Sequence, residues 1–285
     1  MTRLLVMSDI HSNLPALEAV LNHAAAFNAD YAVVAGDIVN WGPFSSQVME
    51  ALACVPCSII RGNNELYLTD WNTPRAPKSW AHFTLPPYTM AQLGRKWMNT
   101  ISAWPDALTL RFRDAPGIQV VHGSPRSPFE AMLPTHTDSE IEAMLAGVEA
   151  ATIIAAHSHL PLDRQVGRWH VLNGGTVGNP LDGDMSASYM ILDGDGEGWR
   201  ATHHRVPFDS QRVLDEFERT GFVEQCGVVG HLIVQEYQSA RLEVYPFLEW
   251  WRATCPDEPH TMDLLEAFEQ VNKRDYMPLA YQVGM

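Results

Sequence analysis

The sequence predicts an α/β protein built on a parallel sheet with crossover helices. Two observations predict it. Short apolar runs alternate with helical stretches in a β-α-β-α-β rhythm over residues 3–61. Each run also stops abruptly at polar residues, and in parallel sheets chemistry gathers at the carboxyl ends of strands.

The first run, RLLVMSD at 3–9, reads as a buried strand. In the stretch that follows, Leu17, Leu21 and Ala24 recur at helical spacing, and Asn13 before Leu14-Pro15 is placed as an N-cap. YAVVA at 31–35 is a second strand, ended by Gly36-Asp37. Residues 45–53 read as a helix, and VPCSIIR at 55–61 as a third strand ended by Gly62-Asn63. Residues 65–90 read as irregular, rich in Trp, Tyr and Pro, and a helix is expected near 89–101. Strands follow at 107–113 and 117–122, the second ending in His122-Gly123-Ser124. Thr137 and Glu140 form a capping box for a helix over 138–148, whose apolar stripe is Ile141, Met144, Leu145 and Val148. ATIIAA at 151–156 is a strand ended by His157-Ser158-His159, and strand-like pieces continue at 169–172, 187–193 and 199–206. After Pro207 strand signals fade. Val213, Leu214 and Phe217 fit one helix; Leu264, Leu265, Phe268 and Val271 fit another. A boundary is therefore expected near 208, with 209–285 a helical C-terminal extension.

Composition narrows the function classes. With 19 Lys+Arg against 34 Asp+Glu the formal net charge is −15, which argues against a protein that coats nucleic acid. At 46% hydrophobic the 285-residue chain is too apolar for a disordered acidic tail. The four cysteines form no dense framework, and no stretch reads as a signal h-region or a membrane span. The expected setting is the cytoplasm. Twelve histidines in an acidic chain are unusual.

Four of those histidines stand where strands end. The ordered set is Asp9-Ile10-His11, Gly36-Asp37 with Gly42 following, Gly62-Asn63-Asn64-Glu65, His122-Gly123, and His157-Ser158-His159. Carboxylate, amide and imidazole donors suit borderline divalent metals such as Mn, Fe, Zn, Co or Ni. In an extended segment residues i and i+2 point the same way, so D-x-H and H-x-H can each serve one site. Glycines beside Asp37, Asn63 and His122 leave room for a ligand. Taken singly, each motif is an ordinary turn. Five in order, each after an apolar strand, form a joint signal.

That series resembles the calcineurin-like metallophosphoesterase superfamily, with its D-x-H, G-D-x-x-x-x-G, G-N-H-[DE], H-G and G-H-x-H motifs. GDIVNWGP, VVHGSPRSPFE and LNGGTVGNP resemble its small bacterial and archaeal phosphodiesterase branch. The resemblance covers about residues 3–208. It implies a four-layer αββα sandwich of two mixed β-sheets flanked by helices, with a metallophosphoesterase catalytic domain in 1–208. By motif position, Asp9, His11 and His159 would bind one divalent ion, Asn63, His122 and His157 a second, and Asp37 would bridge them. The implied reaction is hydrolysis of a small nucleotide-like phosphodiester by attack of metal-bound hydroxide, with manganese among the candidate ions. Protein serine/threonine phosphatase activity and a non-catalytic metal-binding scaffold are the alternatives. Asn64 stands where many members carry a catalytic His, which speaks against the first. Asparagine donates a hydrogen bond but no proton at neutral pH, and acid–base help is worth about 10²–10⁴-fold. The complete ligand set speaks against the second. Ala156 replaces the family's Gly before His157, with little expected effect.

Several residues carry two readings. Asn13 is an N-cap that could also reach a substrate phosphate. Gly174, Gly175 and Thr176 either form a turn or present N–H groups near the metals. Arg126 could hold a second phosphate or a leaving group, or be an exposed structural arginine. His82 and His136 lie in loops that could border the cleft; His203 and His204, adjacent on a strand, face opposite ways. Cys54-Val-Pro-Cys57 leads into a buried strand and reads as packing. Trp71, Trp80, Phe83, Tyr88 and Trp97 are a packed flap or a wall for a nucleobase. In the extension, Phe247, Leu248, Trp250 and Trp251 are expected to pack on the core, line a cap or form a homo-oligomer contact.

Overall fold

The computed structural model describes residues 1–256 and 258–282, leaving aside the side chains of Ala81 and His82. Two five-stranded mixed sheets lie face to face. In the first the order is β10 (Gly198–Val206), β9 (Ala187–Asp195), β1 (Thr2–Met7), β2 (Tyr31–Val34), β3 (Ser58–Ile59). β1, β2 and β3 run parallel, while β9 and β10 are antiparallel additions. The second sheet runs β4 (Ala107–Leu110), β5 (Ile118–Val121), β6 (Thr152–Ala155), β8 (Trp169–Asn173), β7 (Leu162–Val166). Its parallel centre, β5-β6-β8, is flanked by antiparallel edges.

Three apolar clusters make this a four-layer sandwich. Leu4, Val6, Val33 and Ile60 of the first sheet meet Ile118, Val120, Ile154 and Leu172 of the second. On the outer face of the first sheet, Leu5, Met7 and Val34 join one apolar cluster with residues of α1 (Leu14–Ala24), α2 (Ser45–Leu52) and α4 (Leu85–Ser102, broken at Gly94). On the outer face of the second, Val121, Ile153 and Val171 pack against Ile141 and Met144 of α5 (Asp138–Met144). Consecutive strand residues therefore bury on opposite faces, as the pleat requires.

The helices start where their capping chemistry is. Asn13 accepts from the Ala16 N–H at 3.1 Å, and Thr137 with Glu140 closes a reciprocal box on α5. Differences from the sequence reading are local. β3 is only two residues long, because its chain turns at once into the site. Residues 63–69 are a helix, α3 (Asn63–Thr69), not loop; Glu65 caps it by accepting from the Gly62 N–H at 2.7 Å. The hairpin strand β7, unread in the sequence, carries polar edge-strand residues, Asp-Arg-Gln, between Leu162 and Val166.

After residue 208 come α6 (Ser210–Arg219), α7 (Phe222–Ser239, broken at Gly227), α8 (Val244–Thr254) and α9 (Met262–Phe268). Only α6 and α9 are read from apolar spacing. Phe222, Leu232, Phe247, Trp250, Trp251 and Phe268 are buried in the same cluster as Leu5, Met7 and Leu17. Tyr88 and Trp97 also lie in that cluster, so part of the aromatic group after Gly62 is core.

Candidate metal centre

The loops after β1 and β2 are zipped together by their backbones. Asp9 N–H donates to Gly36 O, His11 N–H to Asp37 O and Ser12 N–H to Ile38 O, each at 3.0 Å. A third loop closes from the far side: Gly178 N–H and the Thr176 hydroxyl both donate to Asp9 O, at 2.9 and 2.8 Å. A Cβ at Gly178 would stand 1.7 Å from Ile10 O, so only glycine permits this approach.

These contacts hold an unusual backbone. Asp9, His11, Asp37, His157 and His159 all have φ between 49° and 66°. Left-handed backbone in residues other than glycine costs about 1–3 kcal/mol each and persists only where surroundings enforce it. The geometry also corrects the alternation argument. Asp9-Ile10-His11 and His157-Ser158-His159 lie beyond their strands in turns, so i, i+2 pleating does not align them.

The side chains converge in two buried groups, Asp9/His11/His159 and Asp37/His122/His157, each with its potential donor atoms within 4.8 Å of one another. Asp37 Oδ2 lies between them, 3.3 Å from His122 Nε2 and 3.7 Å from His11 Nε2. Asn63 Oδ1 joins the second group, 2.9 Å from His122 Nε2.

Hydrogen bonding fixes two of the imidazoles. His122 Nδ1 faces Ala35 O at 2.8 Å and His159 Nδ1 faces Asn179 O at 2.6 Å. A carbonyl only accepts, so each Nδ1 carries a proton and each neutral ring turns a lone pair inward. His11 Nε2 and His159 Nε2 then sit 3.0 Å apart. Among the described residues, neither oxygen of the buried Asp9 carboxylate has a hydrogen-bond partner, nor has His11 Nδ1. Converging lone pairs and an unpartnered buried carboxylate fit cations; water-excluded acceptors left facing one another do not fit an empty protein core.

The electrostatics of the metal-free groups divide the imidazoles. Burial lowers the His11 pKa to about 3 and the His157 pKa to about 4, with neighbouring imidazoles adding to the effect. Burial would lower His122 and His159 too, but the carboxylates outweigh it: Asp37 and Asp9 hold His122 up at about 9, and Asp9 raises His159. Without a cation these two rings take a proton beside the carboxylates; a bound cation would take that proton's place. Burial opposes ionisation of Asp37, yet the imidazoles around it keep its carboxyl below the usual range.

Two residues behind the groups set the position of Asp37. Asn64 donates from its backbone to Asp37 Oδ1 at 2.8 Å and from its side chain to Oδ2 at 2.6 Å. Asn40 fixes the Asn64 amide by donating to its Oδ1 at 2.9 Å. Glu65 accepts from the N–H groups of Asp37, Ile38 and Val39 at 2.8–3.1 Å as well as from Gly62. Burial, then Asp37, raises its pKa to about 7. The sequence reading quoted Glu65 in its motif without a role; the signal was an acid at the third position of a helix start.

The remaining candidates are placed as follows. Asn13 is fully buried, and its amide donates to Gly178 O at 2.7 Å while it caps α1. Gly175 and Thr176 are buried in the loop that braces Asp9. Arg126 is half-exposed and paired with Glu130. His136 borders the cleft; the side chain of His82 lies outside the described residues. Cys57 is partly buried, and that burial pushes its thiol up to about 11, which fits packing rather than redox chemistry.

The two groups open into a cavity of about 410 Å³. Its aromatic lining is Trp41, Tyr67, Phe129, Tyr245 and Tyr281, residues that the sequence reading did not single out. Trp80 and Phe83 stand behind, edge-on to Tyr67 at 4.7 and 5.0 Å between ring centres. Leu248 and Arg252 of α8 complete the far side.

The extension also reaches the site itself. Tyr237 OH donates to His11 O at 3.0 Å, and Tyr281 OH to Ser158 O at 2.8 Å. Buried Glu236 accepts from Trp41 Nε1 at 2.8 Å, from Asn179 Nδ2 at 3.2 Å, and from the N–H groups of Glu243 and Val244 at 3.0 Å.

Residues 2–197 match the family model described as the calcineurin-like phosphoesterase superfamily domain. An uncharacterized protein of Methanocaldococcus jannaschii is 24% identical over 243 residues, covering 78% of this chain and 94% of its own. Phosphodiesterase YfcE of Escherichia coli is 28% identical over 205 residues, covering 68% and 89%. Among solved structures, a metallophosphoesterase from Sphaerobacter thermophilus superposes with a TM-score of 0.66 at 24% identity, over 84% of this chain and 99% of that one. A hypothetical protein from Pyrococcus horikoshii gives 0.69 at 23% identity, over 82% and 98%.

Proposed function

The chain belongs to the calcineurin-like phosphoesterase superfamily and is a phosphoric ester hydrolase; from that premise we propose that it is a dinuclear phosphodiesterase acting on a small nucleotide-like diester. One observation carries the reading. Two buried groups of imidazole and carboxylate share Asp37 between them and open into one cavity.

Asp9, His11 and His159 would hold one divalent ion; Asn63, His122 and His157 would hold the other, with Asp37 between. When bound, such ions would acidify water and offset charge on the phosphoryl oxygens. The chain's own residues do the rest. Ala35 O and Asn179 O keep His122 and His159 in the tautomer that turns Nε2 inward. Asn64 and Glu65 hold Asp37 from two sides, so its carboxylate need not reorganise during reaction. Asn64 has no proton to give a departing alkoxide, which favours diesters with good leaving groups over unactivated monoesters.

The test is to count metals by elemental analysis, then compare bis-p-nitrophenyl phosphate with p-nitrophenyl phosphate in the presence of Mn²⁺. About two ions per chain with faster diester turnover is the expected result. Full metal occupancy with no turnover of either ester would overturn it.

A further inference from the structure

At about 410 Å³ the cavity is larger than a phosphoryl group needs, and residues after 236, among them Tyr245, Leu248, Arg252 and Tyr281, supply part of its lining. We propose that α8 and the 278–281 segment build a subsite for the organic group of the ester, and that this subsite takes a flat aromatic group by ring contact. The inference rests on the phosphodiesterase reading above and names what lies beside the phosphate.

The subsite is continuous with the metal end, because His11, Asp37, His157 and Tyr245 line the same cavity. Trp41 lies 5.9 Å from the His11 ring and Tyr281 bonds Ser158 O beside His157 and His159, while Tyr245 and Leu248 of α8 line the same cavity. Two of these rings already use their polar tips within the protein. Trp41 Nε1 donates to Glu236, and the Tyr281 hydroxyl donates to Ser158 O. Arg252 at the rim is paired with Glu249 one turn earlier in α8. Leu181, Leu242, Val244 and Leu248 add aliphatic surface beside the rings.

The walls are also fixed in place. Tyr67 is held edge-on by Trp80, Phe83 and Phe129, with ring centres 4.7–5.7 Å away. A preset slot of this kind loses little freedom on binding. Every nucleobase has a π-face, so stacking recognition tolerates different bases. The expected ligand is therefore an aryl or nucleobase ester with weak discrimination among bases.

Phenylphosphonate and methylphosphonate share a phosphonate head and differ in a single substituent. Their affinities for the metal-loaded protein, measured by calorimetry, should differ by about tenfold or more in favour of phenyl, the scale of one stacked ring. Tyr245→Ala and Leu248→Asn change partly exposed positions and should each narrow that ratio. A phenyl-to-methyl ratio near one in the wild-type protein, a ratio unmoved in both variants while methylphosphonate binds them as it binds the wild type, or no binding of either compound would overturn the subsite. A folding defect would weaken both compounds together and leave the ratio in place. The measurement needs no turnover, so failure to hydrolyse any diester would sink the phosphodiesterase reading separately.

Discussion

Asp37 is the residue on which the two halves of the site depend. It stands within 3.7 Å of imidazoles from both groups, and Gly62 is packed so close that a Cβ there would lie 2.1 Å from Asp37 Oδ1. Asp37→Asn keeps the shape and removes the charge. Diester turnover should fall below detection and at least one metal should be lost by elemental analysis; a wild-type rate would refute its shared role. Asn64 is subtler. Its amide donates to Asp37 and accepts from Asn40. An Asn64→Ala variant loses both bonds, and metal affinity should fall about 10–100-fold, the usual scale for removing a group that orients a ligand. Competition with a chelator of known affinity measures it. The site was legible at this scale because ligand chemistry is carried by residue type. The backbone was not legible: nothing in D-I-H or H-S-H announces a left-handed turn, since those angles are imposed by hydrogen bonds to loops far along the chain.

At the scale of elements, α7 connects the extension to the centre. Glu236 gathers donors from Trp41, Asn179 and the start of α8, and Asn179 in turn holds His159 through its carbonyl. Glu236→Leu would leave four buried donors unsatisfied and should destabilise the fold by about 3 kcal/mol or more in urea unfolding. Tyr237→Phe removes one hydrogen bond, to His11 O, and should cost about 1 kcal/mol; no measurable change in the midpoint would show that bond to be idle. Helices with plain apolar spacing, such as α1 and α5, are readable from sequence. α7 is interrupted by Gly227 and carries a buried acid on its inner face, so its pattern does not separate into two sides. β7 escapes notice for the opposite reason: an edge strand that faces solvent needs little apolar residue.

For the whole molecule, the question is what the C-terminal 77 residues contribute. They carry 14 acidic and 6 basic side chains. Part of that acidity is internal: Glu236 is buried, Glu243 pairs with Lys273 and Glu216 with Arg219. Phe247, Trp250 and Trp251 of α8 share one apolar cluster with β1 and α1. Truncation after residue 208 would expose that face and strip one wall from the cavity. The shortened chain should aggregate or unfold, by light scattering and circular dichroism. A monomeric, cooperatively folding 1–208 fragment with full diester activity would refute the dependence. Among the described residues no helix is long and apolar enough to cross a membrane.

The sequence by itself determined the family, the α/β class and the ordered residues that converge at the strand ends. Those features reside in residue identity and in periods of a few residues, which survive reading one position at a time. Tertiary structure decided how the ligands are aimed, what holds Asp37 and who walls the cavity. Tyr237 and His11 are 226 positions apart, and no local pattern joins them. Such contacts are settled by packing and by the requirement that buried donors and acceptors meet, and only the folded chain brings those groups together.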